Sequence, residues 1–153
     1  YMPSDTVDAW AQAKETQLAD RNYDAAVAAR GIELRRRLIV ELQRAGAGLL
    51  LGSDSPQVFN VPGFSLHREL DVLVAAGLSP YQALYTGTVA VAEFLGSNGG
   101  VVAVGRDADL VLLDANPLDD IRNSRRIHGV MLRGNWYGAS DLEARIEEFS
   151  RAE

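Results

Sequence analysis

The feature that most constrains the fold of this chain is an apolar run at residues 49–51, three leucines placed between helical segments. The run is short, lacks polar alternation and has glycines close on both sides, so it predicts a strand buried on both faces, as in a parallel sheet. Periodicity alone would also permit a helix. A single parallel strand cannot pair all of its own backbone N–H and C=O groups, and it cannot cover its own two faces. The sequence therefore predicts that neighbouring strands come from elsewhere.

The segment before this run is predicted to be helical. Residues 4–45 are rich in helix-forming side chains, with a cap at Ser4 or Asp5 and a break at Gly31. Gly46 lies where a helix usually ends. Apolar residues fall at a helical spacing in the second half of the segment: Leu34, Leu38, Leu42 and Ala45.

Two more helices are predicted after the run, the first over residues 66–77. The second begins at Ser79, where Pro80 suits the first helical position and Gln82 completes a capping box. It is predicted to end at Gly96, with its buried side formed by Leu84, Val91 and Leu95. Beyond it, the pattern changes to short β-like runs at residues 101–104, 108–113, 130–132 and 136–137, followed by a helix over residues 140–151.

Composition removes several classes of protein. The absence of cysteine excludes disulfides, thiolate catalysis and cysteine zinc sites, and fits a cytoplasmic protein. A net charge of −6 argues against binding nucleic acid or an anionic membrane surface, and no apolar run is long enough to span a bilayer. The chain has two histidines and begins Tyr-Met without a signal-peptide pattern, which suggests missing upstream sequence.

Four segments of the chain form a recognisable series. Gly-Ser-Asp follows the apolar run at residues 52–54, and residues 63–80 read GFSLHRELDVLVAAGLSP. Residues 106–118 read RDADLVLLDANPL, and residues 130–137 read VMLRGNWY. In this order and spacing they resemble the carboxyl-terminal part of the amidohydrolase superfamily, in the branch of imidazolonepropionases and prolidase-like dipeptidases.

The resemblance implies an α/β chain: the C-terminal part of a metal-dependent hydrolase (β/α)8 barrel plus part of a small accessory β-sandwich. Residues 1–95 would contain the last barrel strand and its flanking helices, residues 96–138 a sandwich segment, and residues 139–153 a C-terminal helix. It also implies one or two divalent metal ions, with zinc expected, at the carboxyl ends of the barrel strands. The His-x-His pair of such sites has no match here, so most ligands would lie outside this chain.

Asp54 is the one part of that metal site that maps onto this chain. The resemblance implies that its carboxylate binds the metal and carries a proton between the activated water and the leaving amine. Ser53 and Ser55 would orient it by donating hydrogen bonds. The alternative is a turn or helix-capping aspartate, because Gly-Ser-Asp-Ser-Pro also favours a loop. The downstream segments favour the metal-facing aspartate.

The two histidines and one arginine are weaker candidates. His67 is predicted either to face a substrate near the barrel mouth or to hydrogen bond within a helix-loop junction, with neither alternative preferred. Arg68 would meet a substrate carboxylate or remain an exposed charge. His128, just ahead of a predicted strand, is assigned a structural role.

Other charged groups are assigned structural roles. Asp107 and Asp109 form a carboxylate pair, which the resemblance places in a sandwich turn away from the chemistry. The arginine runs at residues 35–37 and 125–126 are explained by solvated faces or ion pairs.

The favoured hypothesis is an enzyme that hydrolyses amide, dipeptide or cyclic amide bonds of small molecules, with this chain inactive by itself. The rest of the barrel would come from upstream sequence or another chain. The alternative is a non-catalytic assembly or binding module derived from the same fold, in which residues 49–51 and an uncovered barrel edge pair with another chain. A homo-oligomer is one such arrangement. A proteolytic fragment of the larger protein is a third possibility.

Overall fold

The computed structural model describes residues 2–20 and 23–151, without the side chains of residues 149–151. Among these residues, no helix is long and apolar enough to cross a membrane. The described elements, in chain order, are α1 Ser4–Ala19, α2 Ala25–Arg44, α3 Phe64–Ala76, α4 Pro80–Gly87, α5 Val89–Leu95, β1 Leu110–Leu113, a 3₁₀ turn at Ile121–Arg125, β2 Ile127–Leu132, β3 Asn135–Gly138 and α6 Ala139–Arg151.

The first helical segment is interrupted at a different place from the one predicted. Gly31 lies inside α2, so the break predicted there is wrong. Instead α1 ends at Ala19, and Asp24 caps the start of α2 by accepting hydrogen bonds from the backbone N–H groups of Ala26 and Val27, at 2.8 and 3.1 Å. An aspartate side chain satisfies the free N–H groups of a first turn, whereas an interior glycine costs a helix only about 1 kcal/mol.

The capping box at the start of α4 is confirmed. Ser79 Oγ accepts from Gln82 N at 3.2 Å, and Gln82 Oε1 accepts from Ser79 N at 2.8 Å. The predicted continuous helix to Gly96 is interrupted, because Thr88 leaves the helical region between α4 and α5. Leu95 was predicted on the buried side, yet it is 68% exposed. The change of direction at Thr88 removes the face that a continuous helix would have shared with Leu84.

The hydrophobic core is small and lies where α2, α3, α4 and the 3₁₀ turn meet. Its buried residues are Leu70, Leu73, Leu78, Ala83 and Ile121. Partly buried side chains pack against them, including Ile39 and Val40 of α2. The stripe Leu34, Leu38 and Leu42 on the same helix is exposed, at 66%, 55% and 37%. Within the described chain, α2 therefore turns Ile39 and Val40 inward and leaves that leucine stripe uncovered.

Residues 49–51 do not form a strand in the structure, so the predicted buried strand is absent from the described residues. Leu50 is 45% exposed. The physical reason is that this run has no partner strand within the described chain. A strand needs a neighbouring strand to share its backbone hydrogen bonds, and no described strand lies beside this run.

The β-like half of the chain forms one antiparallel sheet among the described residues, in the order β1-β2-β3. Leu110 pairs with Met131, and Val130 pairs with Tyr137. Helix α6 packs against β2 and β3. Residues 101–104 were predicted to be β-like, but they form no strand, and Val102 and Val104 point into solvent. A second sheet layer and the division at residues 95 and 138 stay predictions.

Candidate functional site

The loop that carries Asp54 is anchored where the chain leaves residues 49–51. Leu51 donates its backbone N–H to Thr86 O at 3.1 Å, near the end of α4. The side chain of Leu51 lies directly against the next residue of α4, because a Cβ built at Gly87 would lie 2.6 Å from Leu51 Cδ2 and 3.3 Å from Leu51 Cβ. The close approach of Leu51 to α4 fixes the position from which the loop starts.

Asp54 lies on this loop with its side chain exposed. Its φ of +54° is in the left-handed region, which aspartate and asparagine tolerate better than most other residues. Gln57 Nε2 donates a hydrogen bond to Asp54 Oδ2. This contact orients the carboxylate within the loop while leaving it open to solvent.

Ser53 and Ser55 hydrogen bond with each other, their hydroxyl oxygens 2.9 Å apart. The backbone oxygen of Ser53 accepts a further hydrogen bond from Asn60 Nδ2 at 2.9 Å. The orienting contact to Asp54 comes from Gln57 instead of from the two serines. The support predicted from Ser53 and Ser55 for a metal-binding Asp54 stays a prediction.

A cleft lies between α1 and the second half of the same loop. Its volume is about 490 Å³, and its lining residues are Ala13, Lys14, Gln17, Val58, Phe59, Asn60 and Arg68. Trp10 of α1 contacts Phe59 of the loop, with ring centroids 6.0 Å apart and planes tilted by 60°. Arg68 thus lies beside the loop that carries Asp54. Arg68 lines this cleft, and Asp54 does not.

His67 lies on a different side of α3 from Arg68 and faces the 3₁₀ turn. Its Nδ1 lies 3.0 Å from Ser124 Oγ, and Ser124 is buried. Asp71 lies one helical turn after His67 in α3 and forms an ion pair with Arg125 of the 3₁₀ turn. Burial of the ring, with a smaller effect of the Arg125 charge, lowers the pKa of His67. These contacts support the junction role more than the substrate-facing role.

Two other sequence candidates lie within the β unit. Asp109 Oδ1 accepts from the backbone N–H of Arg133 at 2.6 Å, which ties the β2–β3 turn to the start of β1. His128 Nδ1 lies 3.0 Å from Asp114 Oδ1, and both side chains are exposed. The geometry therefore agrees with structural roles for Asp109 and His128.

The described residues do not form a metal site by themselves. No group of three or more His, Asp or Glu side chains suitable for a metal ion occurs in the described part of the chain. Protein zinc sites use three or four protein ligands, and the loop offers the single carboxylate of Asp54. The donor set present here is therefore insufficient for a metal without ligands from other residues.

The model of the amidohydrolase family matches residues 3–137, which include Asp54, and the chain belongs to this family. This confirms the resemblance found in the sequence. No curated protein matches the chain at a significant level.

Solved structures include proteins similar to this chain. A candidate prolidase from Bifidobacterium longum is 35% identical, with a TM-score of 0.60 over 72% of this chain and 29% of its own. Bottromycin amidohydrolase is 29% identical, with a TM-score of 0.72 over 94% of this chain and 32% of its own. A Xaa-Pro dipeptidase with bound methionine is 22% identical, with a TM-score of 0.64 over 88% of this chain and 34% of its own, and this likeness is one of fold.

The chain spans about a third of the length of these three proteins. Its mixture of helices and strands, together with these neighbours, fits part of an α/β hydrolase fold.

Lys14, Gln57 and Asn60 are among the residues of this region that were not identified from the sequence. Gln57 holds the Asp54 carboxylate, and Asn60 holds the backbone of Ser53. The spacing of three residues from Asp54 to Gln57 is a signal that could have suggested a turn contact. Lys14 carries no such local signal, because it reaches the loop only through the packing of α1.

Proposed function

We propose that this chain is the C-terminal part of a metal-dependent amidohydrolase that hydrolyses C–N bonds in amides, dipeptides or cyclic amides. The observation that carries this proposal is the family match over residues 3–137, with Asp54 inside it. The similarity to a candidate prolidase, at 35% identity, and to bottromycin amidohydrolase, at 29% identity, supports C–N bonds as the target.

In this proposal Asp54 contributes one ligand to the metal and serves in proton transfer. Its exposure and the single contact from Gln57 to one carboxylate oxygen support the assignment, because the other oxygen has no hydrogen bond from a described residue. The remaining ligands would come from upstream sequence or from another chain. The metal, with zinc expected, would supply Lewis acidity for activating water at neutral pH.

This proposal implies that the 153-residue chain is inactive alone. Its described residues supply one carboxylate where a catalytic metal site needs about three protein ligands. Purified chain supplied with zinc or manganese should show no turnover of dipeptides. Robust turnover traceable to the chain itself would contradict the proposal.

A second candidate is a non-catalytic assembly module built on the same fold. The exposed leucines of α2 and the unpaired run at residues 49–51 favour association with another chain. The mass measured by light scattering does not separate the two candidates by itself, because both predict that these surfaces are covered. If the full-length protein is a folded monomer and also lacks hydrolase activity, both candidates are contradicted.

The direct test replaces Asp54 with asparagine in the full-length protein. Asn keeps the shape and the hydrogen bond acceptor for Gln57 while removing the negative charge. We expect kcat for a hydrolysed dipeptide or amide to fall at least about 100-fold, because a group that transfers protons typically contributes a factor of that order. Metal content, measured by elemental analysis, should also fall.

Asp107→Asn provides the matched control, because Asp107 is an exposed carboxylate in the β unit. It should leave both activity and metal content unchanged. Equal activity in the wild type and in Asp54→Asn would refute the role of Asp54, and the absence of any C–N hydrolysis in the wild-type protein would refute the proposed function.

A further inference from the structure

The cleft beside the Asp54 loop has the size and composition of a small-molecule site. Its volume of about 490 Å³ falls within the range of roughly 300–1,000 Å³ that is usual for ligand pockets. Three kinds of group line it: apolar surface from Val58 and Phe59, amides from Gln17 and Asn60, and two cations.

The two cations of the cleft are Lys14 and Arg68, and no acidic side chain among the described residues lines it. This is unusual in a chain whose formal net charge is −6. Arg68 has no ion pair with any residue that the structure describes, and Lys14 donates only to the neutral amide of Gln17, at 3.1 Å. Two uncompensated positive charges beside one cavity favour an anionic ligand.

A second cavity on the molecule shows the contrast. It has a volume of about 290 Å³ between α2 and α3, and its arginines are accompanied by Glu33 and Glu41. Arg44 pairs with Glu41 at 2.7 Å. The positive charges of that cavity have acidic neighbours, so the cavity carries no comparable preference for an anion.

The cleft is continuous with the loop that holds Asp54. Asn60, in the wall of the cleft, donates to the backbone of Ser53, and Gln57, three residues earlier, donates to the Asp54 carboxylate. Gln57 and Asn60 also pair as an isolated antiparallel bridge. One short turn therefore connects the group proposed to act on the scissile bond with the wall of the cationic cleft.

We propose that this cleft binds the free carboxylate of the substrate, with Lys14 and Arg68 as its cationic partners and Phe59 contacting an apolar side chain. This inference rests on the proposed function and adds the substrate class, namely acids such as dipeptides or N-acyl amino acids with an apolar terminal residue. Arg68 presents a planar guanidinium suited to two parallel hydrogen bonds with a carboxylate, and Lys14 adds a point charge.

The test measures binding separately from hydrolysis, by calorimetric titration of the full-length Asp54→Asn protein. The probes are N-acetyl-L-leucine and its uncharged analogue N-acetyl-L-leucinamide, which differ only in the carboxylate. We expect the acid to bind at least about tenfold more tightly than the amide, because hydrogen bonds to charged groups contribute about twice as much as neutral ones. Added salt should weaken binding of the acid more than binding of the amide.

Variants then assign the preference to the two cations. Arg68→Gln and Lys14→Gln should each weaken binding of the acid about tenfold and leave the amide unchanged. Arg68→Lys should recover part of the loss. Arg35→Gln removes an exposed arginine of α2 that does not line the cleft, and it should bind like the parent. Circular dichroism of each variant reports whether the fold is intact.

Equal binding of acid and amide, no binding of the acid, or an equal loss in Arg35→Gln would each overturn the inference. The result is independent of the hydrolytic assay. A protein that prefers the acid but hydrolyses nothing retains the cleft assignment and loses the proposed function, whereas an active hydrolase without the preference has the opposite outcome.

Discussion

At the scale of single residues, the structure separates side chains that the sequence placed close together. His67 and Arg68 are adjacent in the chain, but helical geometry directs them to different surroundings. His67 faces Ser124 in the 3₁₀ turn, and Arg68 lines the cleft beside the Asp54 loop. The contact of His67 agrees with a structural role, and the position of Arg68 underlies the ligand-binding role that we propose for it.

The lowered pKa of His67 gives a pH dependence with a definite sign. Because burial favours the neutral ring, the unfolded chain binds more protons than the folded chain as the pH falls below the ordinary value of 6.5. The free energy of unfolding should therefore decrease as the pH is lowered through this value, and level off below the pKa of the folded state. His67→Gln, whose amide can still bond to Ser124, should show a smaller decrease.

Urea denaturation of both proteins between about pH 5 and pH 8 measures this effect. The two proteins should differ in slope mainly below about pH 6.5, where the histidine of the unfolded state takes up a proton. Identical pH slopes in the wild type and in His67→Gln would show that this ring does not contribute.

At the scale of elements, local signals predicted the start of α4 correctly but not its end. The capping box of Ser79 and Gln82 uses side chains adjacent to the groups they satisfy, so it forms as predicted. Helix α4 ends at Gly87, beside Leu51, a residue more than 30 positions earlier in the chain. Local pattern carries no information about that contact.

Removing the cap of α4 should destabilise the protein by a measurable amount. Ser79→Ala deletes the Oγ that accepts from Gln82 N at 3.2 Å, and we expect the free energy of unfolding to fall by about 1 kcal/mol. Denaturant titration measures the loss. Ser97→Ala, at an exposed serine outside the helices, should cost much less. A loss in Ser97→Ala equal to that in Ser79→Ala would contradict the importance of the cap.

At the scale of the whole molecule, the described chain buries little apolar surface for its size. Six hydrophobic residues of the described chain are buried, whereas the leucine stripe of α2 stays exposed. Large exposed apolar patches generally mark surfaces that contact other protein. Together with the coverage of about a third of similar proteins, this exposure supports a chain that packs against further sequence.

The cost of shortening Leu38 should therefore depend on what surrounds it. In the separate 153-residue chain, where Leu38 is 55% exposed, Leu38→Ala should change the free energy of unfolding by no more than about 0.5 kcal/mol. In the full-length protein the same substitution should cost about 2 kcal/mol or more, because it opens a cavity in a covered interface.

Denaturation of both proteins tests this difference, and Leu70→Ala serves as the control. Leu70 is 5% exposed within the chain, so its truncation should destabilise both forms. A negligible effect of Leu38→Ala in both forms would show that the stripe remains uncovered.

The sequence by itself determined the family, the start of α4 and the approximate positions of most helices and strands. It also singled out Asp54, through the Gly-Ser-Asp triplet, as the candidate site residue. These features depend on motifs or on contacts between residues near one another in the chain. The predicted strand at residues 49–51 failed for the converse reason, since a strand exists only with a partner and none lies beside it among the described residues.

Only the tertiary structure decided how distant segments meet. It brought Lys14 of α1, the turn at residues 58–60 and Arg68 of α3 around one cleft, and it placed His67 against Ser124. Helix packing sets these positions through side chains that are far apart in sequence, so neither spacing nor composition could have predicted a cationic cleft beside Asp54.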